Sequence, residues 1–377
     1  MKKISSALFF LLLMTSAWSQ ISQAVEIWPM PVDCQETSGL LFFNHHIITH
    51  NDSDNAPELY ELDSLTGQIL RTVSVSGATN VDWEAIAMDE SFIYIGDIGN
   101  NGGNRTDLVI YKIALSDFQE NEIVEAEEIF FHYEDQLDFT PTYNATAFDA
   151  EALMCMDNHL FIFTKNWISE TTTVYQLDAS PGEHVAMPVG FFDTNGLVTG
   201  ADYNEAMDVV MLCGYSTSLS PFAFVIYGFE SEEWTGTQSM KFIFPAPFGF
   251  GSQVEAVALS NNGRCLFSRE SFSTTVAGFE LNYDATLYSA MLSLEFAHVD
   301  ETHVANSITV APNPNDGFFT IESRLTERAF YELRDALGLV FRSGYLKPGS
   351  TSIDISGAPS GTYFLTVNGH TLRVLKF

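Results

Sequence analysis

The chain has 377 residues, with 16 Lys and Arg against 49 Asp and Glu, and 31 Phe beside 14 Tyr. Such an acidic balance excludes nucleic acid and anionic membrane surfaces as partners, because both require a basic patch. Turn residues interrupt the apolar runs and no long amphipathic stretch occurs, which excludes an α/β fold and predicts an all-β sandwich, barrel or propeller.

Residues 1–19 read as a signal peptide. Lys2 and Lys3 supply the positive start, Ile4 to Ala17 the apolar core, and Ala17-Trp18-Ser19 a small-x-small cleavage site. The apolar core is too short for a permanent anchor, and no later stretch reads as an integral membrane segment. The four cysteines Cys34, Cys155, Cys213 and Cys265 lack C-x-x-C spacing. Export permits disulfides between them, but three lie inside apolar runs, which favours buried thiols.

The segment 20–299 is built from similar units. Each opens with a short apolar strand, turns, and continues in a second apolar strand. The clearest is Asp82-Trp83-Glu84-Ala85-Ile86-Ala87, followed by Phe92 to Asp97 and a Gly/Asn-rich loop ending at Arg105. Related starts occur at Ser38-Gly39-Leu40, Asp149-Ala150-Glu151-Ala152, Thr199-Gly200-Ala201 and Gln253-Val254-Glu255-Ala256. Matching Gly39, Glu84, Glu151, Gly200 and Glu255 gives intervals of 45, 67, 49 and 55 residues. A four-stranded propeller blade takes about 40–50 residues. The expectation is a β-propeller of five blades, or six if another lies in the long second interval.

In a propeller the start of each innermost strand lies at one face of the central channel. Glu84, Glu151 and Glu255 are therefore expected to converge, with Asp82, Asp149, Asp202 and Gln253 nearby. Two roles fit. Each Glu is either a latch accepting backbone N–H groups of the neighbouring blade, or a ligand in an oxygen cage of the kind that holds Ca²⁺. Glu84, Glu151, Glu255, Asp82 and Asp149 are the candidate metal ligands.

The Asp97 to Arg105 loop fails as an EF-hand, since Gly99 and Leu108 replace ligands; Arg105 is expected to fold back onto Asp97 or a channel carboxylate. His45, His46 and His50, with His132 and His159, are weaker candidates for zinc or general base. G-x-S-x-G, H-E-x-x-H and P-loop motifs are all missing.

After a polar linker at 300–307 the composition changes. Residues 20–307 carry 7 basic and 43 acidic side chains, residues 308–377 carry 7 and 6. Pro312-Asn313-Pro314, Gly317, Tyr331 to Gly338, Gly361-Thr362-Tyr363 and a basic end at Lys376 read as short strands with Pro- and Gly-governed turns, enough for a small Ig-like sandwich. Together they resemble the type A C-terminal sorting domain of the type IX secretion system. The resemblance implies recognition by that machinery, passage through the periplasm, and release or attachment at the outer surface.

The strand starts are also similar, more loosely, to those of secreted bacterial propellers, including SdiA-regulated, phytase-like and paraoxonase- or gluconolactonase-like ones. In several of these a Glu at an inner-strand start binds calcium, which would carry over to Glu84 and then to Glu151 and Glu255. The expected function is an exported propeller binding a ligand or partner outside the cell, with Ca²⁺ in the channel. The alternative is a calcium-dependent hydrolase of phosphate esters, lactones or similar esters. A third reading places a glycan on Trp83, Trp167 and Phe248 to Phe250.

Overall fold

A computed structural model describes residues 18–228, 234, 237–244, 252–276, 279–295, 308–324, 328–335, 340–367 and 370–377. Residues 1–17 of the expected signal peptide, the expected linker at 300–307 and Phe248 to Phe250 lie outside the described residues. Contacts divide the chain into a unit spanning Ser19–Leu294 and a second containing Glu295–Phe377.

The first unit opens with β1 (Trp18–Ile21) and β2 (Val25–Pro29). Blade 1 is the meander β3 (Thr37–Phe43), β4 (His46–Asn51), β5 (Glu58–Asp63) and β6 (Ile69–Ser76). Blade 2 holds β7 (Trp83–Met88), β8 (Phe92–Asp97) and β9 (Val109–Ala114). A six-residue helix α1 (Leu115–Glu120), β10 (Ile123–Glu125) and β11 (Glu127–Tyr133) follow.

Blade 3 is β12 (Ala150–Met156), β13 (His159–Thr164), β14 (Thr172–Asp178) and β15 (Gly182–Phe192). Blade 4 is β16 (Leu197–Asn204), β17 (Val209–Tyr215), β18 (Pro221–Tyr227) and β19 (Gln238–Ile243). Blade 5 takes β20 (Val254–Leu259) and β21 (Arg264–Arg269), then a side hairpin of β22 (Phe272–Val276) and β23 (Phe279–Tyr283), and finally β24 (Thr286–Glu295). Its outer edge is completed by β2 and β1, both paired with β24.

The innermost strands touch in sequence around a closed circle: β3 on β7, β7 on β12, β12 on β16, β16 on β20, and β20 on β3. The protein is thus a five-bladed propeller. The long second interval holds no sixth blade. It is filled by α1, by β10, which adds in parallel to the edge of blade 1, and by the loop before β12. At the outer edges β11 and β15 pair in parallel, which fuses blades 2 and 3 into one eight-stranded sheet.

Each blade buries both faces, which explains apolar runs that do not alternate with polar residues. In β8, Ile93 and Ile95 pack towards blade 1 with Leu41, Ile48 and Leu59, while Tyr94 packs towards blade 3 with Leu153, Ile162 and Tyr175. Blades 3 and 4 meet through Met154, Phe161, Leu212 and Phe224, and blade 5 meets blade 1 through Leu266, Leu287, Leu40 and Ile47. All four cysteines are buried free thiols.

The second unit is a sandwich of two antiparallel sheets. One contains β25 (Ile308–Ala311), β26 (Phe318–Ser323) and β29 (Gly349–Asp354). The other contains β27 (Ala329–Asp335), β28 (Val340–Leu346), β30 (Gly361–Val367) and β31 (His370–Lys376). Phe319, Ile321, Leu333, Ile353, Leu365 and Val374 lie in its core. The P-N-P segment ties down the last strand. Asn313 donates to the Arg373 carbonyl at 2.6 Å and accepts the Leu375 N–H at 2.8 Å. Asn315 donates to the Leu375 carbonyl at 2.9 Å. The Lys376 ammonium caps the Ser356 carbonyl at 2.9 Å and also meets that of Ala358.

Candidate functional site

Every innermost strand carries a β-bulge at the same place. Pairing skips one residue between Thr37 and Gly39, Trp83 and Ala85, Ala150 and Ala152, Val198 and Gly200, and Val254 and Ala256. A bulge leaves the extra residue unpaired and re-aims its side chain. The equivalent positions are therefore Ser38, Glu84, Glu151, Thr199 and Glu255. This corrects the sequence alignment in blades 1 and 4, where Gly39 and Gly200 sit one residue too late.

The next position is Gly39, Ala85, Ala152, Gly200 or Ala256, all small because five strands crowd together at the axis. A Cβ on Gly200 would stand 2.9 Å from the Ala256 Cα and 3.1 Å from the Glu255 carbonyl oxygen. Beyond the bulges the channel narrows to about 10 Å³, room for about one water. It is closed in the middle and open as a funnel at each end.

Four of the five bulge side chains meet in the first funnel or beside it. Ser38, Glu84, Glu151 and Glu255 line a pocket of about 210 Å³. The Thr199 hydroxyl instead latches blade 4 to blade 5 through the Val254 carbonyl. A second tier, which the sequence analysis did not single out, comes from residues at the exits of the second strands: Asp52, Lys165, Tyr215 and Glu270. Their common signal is position, since each follows the strand partner of the residue before the bulge in its own blade.

The pocket is strongly acidic, and Lys165 is the one cation among its described lining residues. Lys165 contacts Glu151 directly, and both side chains are 5% exposed. Burial opposes charge on the ammonium, but Glu151 more than offsets it and holds the Lys165 pKa well above its usual range. Glu151 is itself pushed up to about 8, because its burial outweighs the attraction of Lys165, and the remaining carboxyls share no such partner. Burial, reinforced by mutual repulsion, pushes Asp82 and Glu270 up to about 7, and Glu84 and Glu255 well above the carboxylate range.

Asp52, Asp82 and Glu84 each place a carboxylate oxygen within 4.8 Å of the other two. Oxygens bound to one Ca²⁺ at 2.3–2.6 Å lie up to about 5 Å apart, so this trio has the dimensions of a partial calcium cage. Gly99 makes room for it, because a Cβ there would stand 2.3 Å from Asp82 Oδ2 and 2.9 Å from Glu84 Cγ. The Ser38 hydroxyl donates to Glu84 Oε2 at 2.9 Å.

The five sequence candidates thus separate. Glu84, Glu151 and Glu255 share the pocket, and Asp82 stands beside Glu84. Asp149 is turned away as a latch, accepting the Asn100 N–H at 2.6 Å and the Trp167 Nε1–H at 2.7 Å. Asp202 lies at the other end of the channel, where it accepts the Leu259 N–H, while Gln253 lines the first pocket and donates to the Tyr215 hydroxyl at 2.8 Å.

Arg105 does fold back onto Asp97, Nη2 to Oδ1 at 2.8 Å, and Asp97 also accepts the N–H groups of Val81 and Asp82. No histidine lines the pocket among the described residues. His50 is buried against Trp83, with ring centroids 5.6 Å apart, and burial pushes its pKa down to about 4. His46 pairs with Glu61 at a strand start. Trp83 is fully buried and so unavailable to a glycan, whereas Trp167 lines the pocket.

A search of curated protein sequences found no match. Among solved structures, the Myxococcus xanthus glutaminyl cyclase is similar at 12% identity and a TM-score of 0.41, covering 74% of this chain and 98% of that one. A gluconolactonase from Xanthomonas campestris aligns at 8% identity and a TM-score of 0.34, covering 72% and 90%. The WD40 domain of Toxoplasma gondii coronin aligns at 9% and 0.31, covering 77% and 89%. No helix among the described residues is long and apolar enough to cross a membrane. Residues 309–376 match the family model of the secretion system C-terminal sorting domain, and with the sandwich described above they identify the tail of this chain as a type IX sorting domain.

Proposed function

We infer that this chain is cargo of the type IX secretion system whose propeller acts outside the cell by binding a ligand through Ca²⁺ in its acidic funnel. The observation that carries the reading is the Asp52, Asp82 and Glu84 trio. Three carboxylates from two blades converge at a channel mouth whose single lining ammonium is already committed to Glu151. Such a cluster is relieved either by protons or by a cation, and a hard divalent ion suits oxygen ligands. Ca²⁺ in this trio would leave positions open towards the funnel for an anionic or hydroxyl-bearing ligand.

The test is calcium titration of the full chain followed by thermal unfolding and calorimetry. A metal that binds only the folded state raises the melting temperature. Asp82→Asn and Glu84→Gln should each abolish the shift, and deletion of 309–376 should leave it intact while abolishing export from cells. Absence of any shift at millimolar Ca²⁺ would remove the cation reading but not the export reading.

The second reading is calcium-dependent ester hydrolysis. It is favoured by one observation, the Glu270 carboxyl poised at about 7 by burial and by the charge of Asp52. In the absence of a pocket histidine, Glu270 would take the proton of the attacking water. Hydrolysis of a chromogenic phosphate ester or lactone that disappears in Glu270→Gln, with Ca²⁺ affinity unchanged, would support it.

A further inference from the structure

We propose that the funnel at the opposite end of the channel is a second binding site, for an organic cation with an apolar body. It is independent of the calcium reading. This cavity, of about 820 Å³, is formed where the inner strands end and turn into the second strands. Its volume falls in the range of small-molecule sites.

Its lining differs in kind from the first funnel. Phe42, Phe43, Met88, Phe92 and Met156 supply an aromatic and thioether wall. Glu90, Asp157 and Glu205 supply exposed carboxylates from three blades, Asp89 and Asp202 being engaged by the Tyr94 hydroxyl and the Leu259 N–H, and no Lys, Arg or His lines it among the described residues. Lys112 lies close by, 3.9 Å over the Phe92 ring, but its ammonium is engaged by the Ala179 carbonyl.

Those two features select one ligand chemistry. Aromatic faces and carboxylates both attract a cation, and apolar walls reward a ligand that brings carbon with its charge. An anion meets repulsion from three of the five blades that line the cavity, and a neutral apolar molecule forgoes the field. The plug of small residues in mid-channel keeps the two funnels apart, so a cation seated here does not reach Glu84 or Glu151.

The test is calorimetric titration of the full chain at low salt with benzyltrimethylammonium, its neutral isostere neopentylbenzene, and phenylacetate. The cation is expected to bind more tightly than the isostere, with phenylacetate not binding. Asp157→Asn and Glu205→Gln remove two exposed charges at turns. Asp157 has φ +50°, which Asn tolerates well. Each should weaken the cation about fivefold, the value of one screened charge contact, and Phe43→Ala should weaken cation and isostere alike. Saturating Ca²⁺ should not compete. Equal affinity for cation and isostere, insensitivity to both charge variants, no binding, or displacement by Ca²⁺ would each overturn the proposal.

Discussion

Replacing Lys165 by Met removes the one ammonium among the described residues of the first, acidic funnel while keeping its stem against Trp167 and Tyr215, whose rings lie 4.9 and 5.2 Å from Nζ. Glu151, 5% exposed, is then left buried with its repelling neighbours. It must either stay charged or take up a proton. Breaking a buried pair by removing one partner costs about 3–5 kcal/mol. In the wild type burial already raises Glu151 to about 8, so proton uptake in the variant sets a ceiling on the added cost of about 1.36 kcal/mol for each pH unit above that value. The ceiling is close to zero at pH 6 and about 3 kcal/mol at pH 10.

At about 2–4 °C per kcal/mol for a unit of this size, the variant should melt roughly 5–10 °C below wild type at pH 10 and within a degree or two of it at pH 6. Tryptophan fluorescence reads the propeller and not the sorting domain, since no tryptophan lies in residues 295–377. The double change Lys165→Met with Glu151→Gln should recover most of the loss. A deficit equal at the two pH values, or under a degree at pH 10, would refute the account of the funnel as a charge cluster held together by one lysine.

In the wild type, Asp82 and Glu270 are raised to about 7 in the folded chain. The stability they contribute is complete below their unfolded values near 4 and falls as pH rises through about 7; urea denaturation at pH 5 and pH 8 should show this, and saturating Ca²⁺ should flatten it. Gly200→Ala forces a methyl group against the backbone of blade 5 and should cost about 1–3 kcal/mol, read as a lower urea midpoint with unchanged slope. In the sorting domain, Asn315→Ala removes the side-chain donor to the Leu375 carbonyl, which keeps the Asn315 backbone N–H, and leaves the buried Gly317 N–H without its acceptor; it should cost about 1–3 kcal/mol, seen by hydrogen exchange as faster exchange in β31 than in β27.

Much of the architecture was legible because blade packing imposes a repeated demand. Both faces of each inner strand are buried, so Ile86, Leu153 and Val257 recur beside an acidic start. The position of Ser38 and Thr199 was not legible, because a bulge breaks the period-two rhythm on which register is read. Without a carboxylate to mark the bulge, the following glycine took its place in the alignment. Asp149 was misplaced for another reason, since the loop carrying Asn100 comes from the preceding blade and nothing in the local sequence announces it. Lys165 and Glu270 stand at strand exits, where composition alone cannot distinguish a channel residue from a solvated turn.

The pairing of β2 with β24 has a kinetic consequence. Val25 bonds across to Ser289, nearly the full length of the propeller away, so the contact that shuts the circle is among the most expensive in chain entropy. Until residues 286–295 have been made, β2 has no neighbour. A polypeptide interrupted before that point leaves a strand waiting and an unshielded sheet border open to other chains.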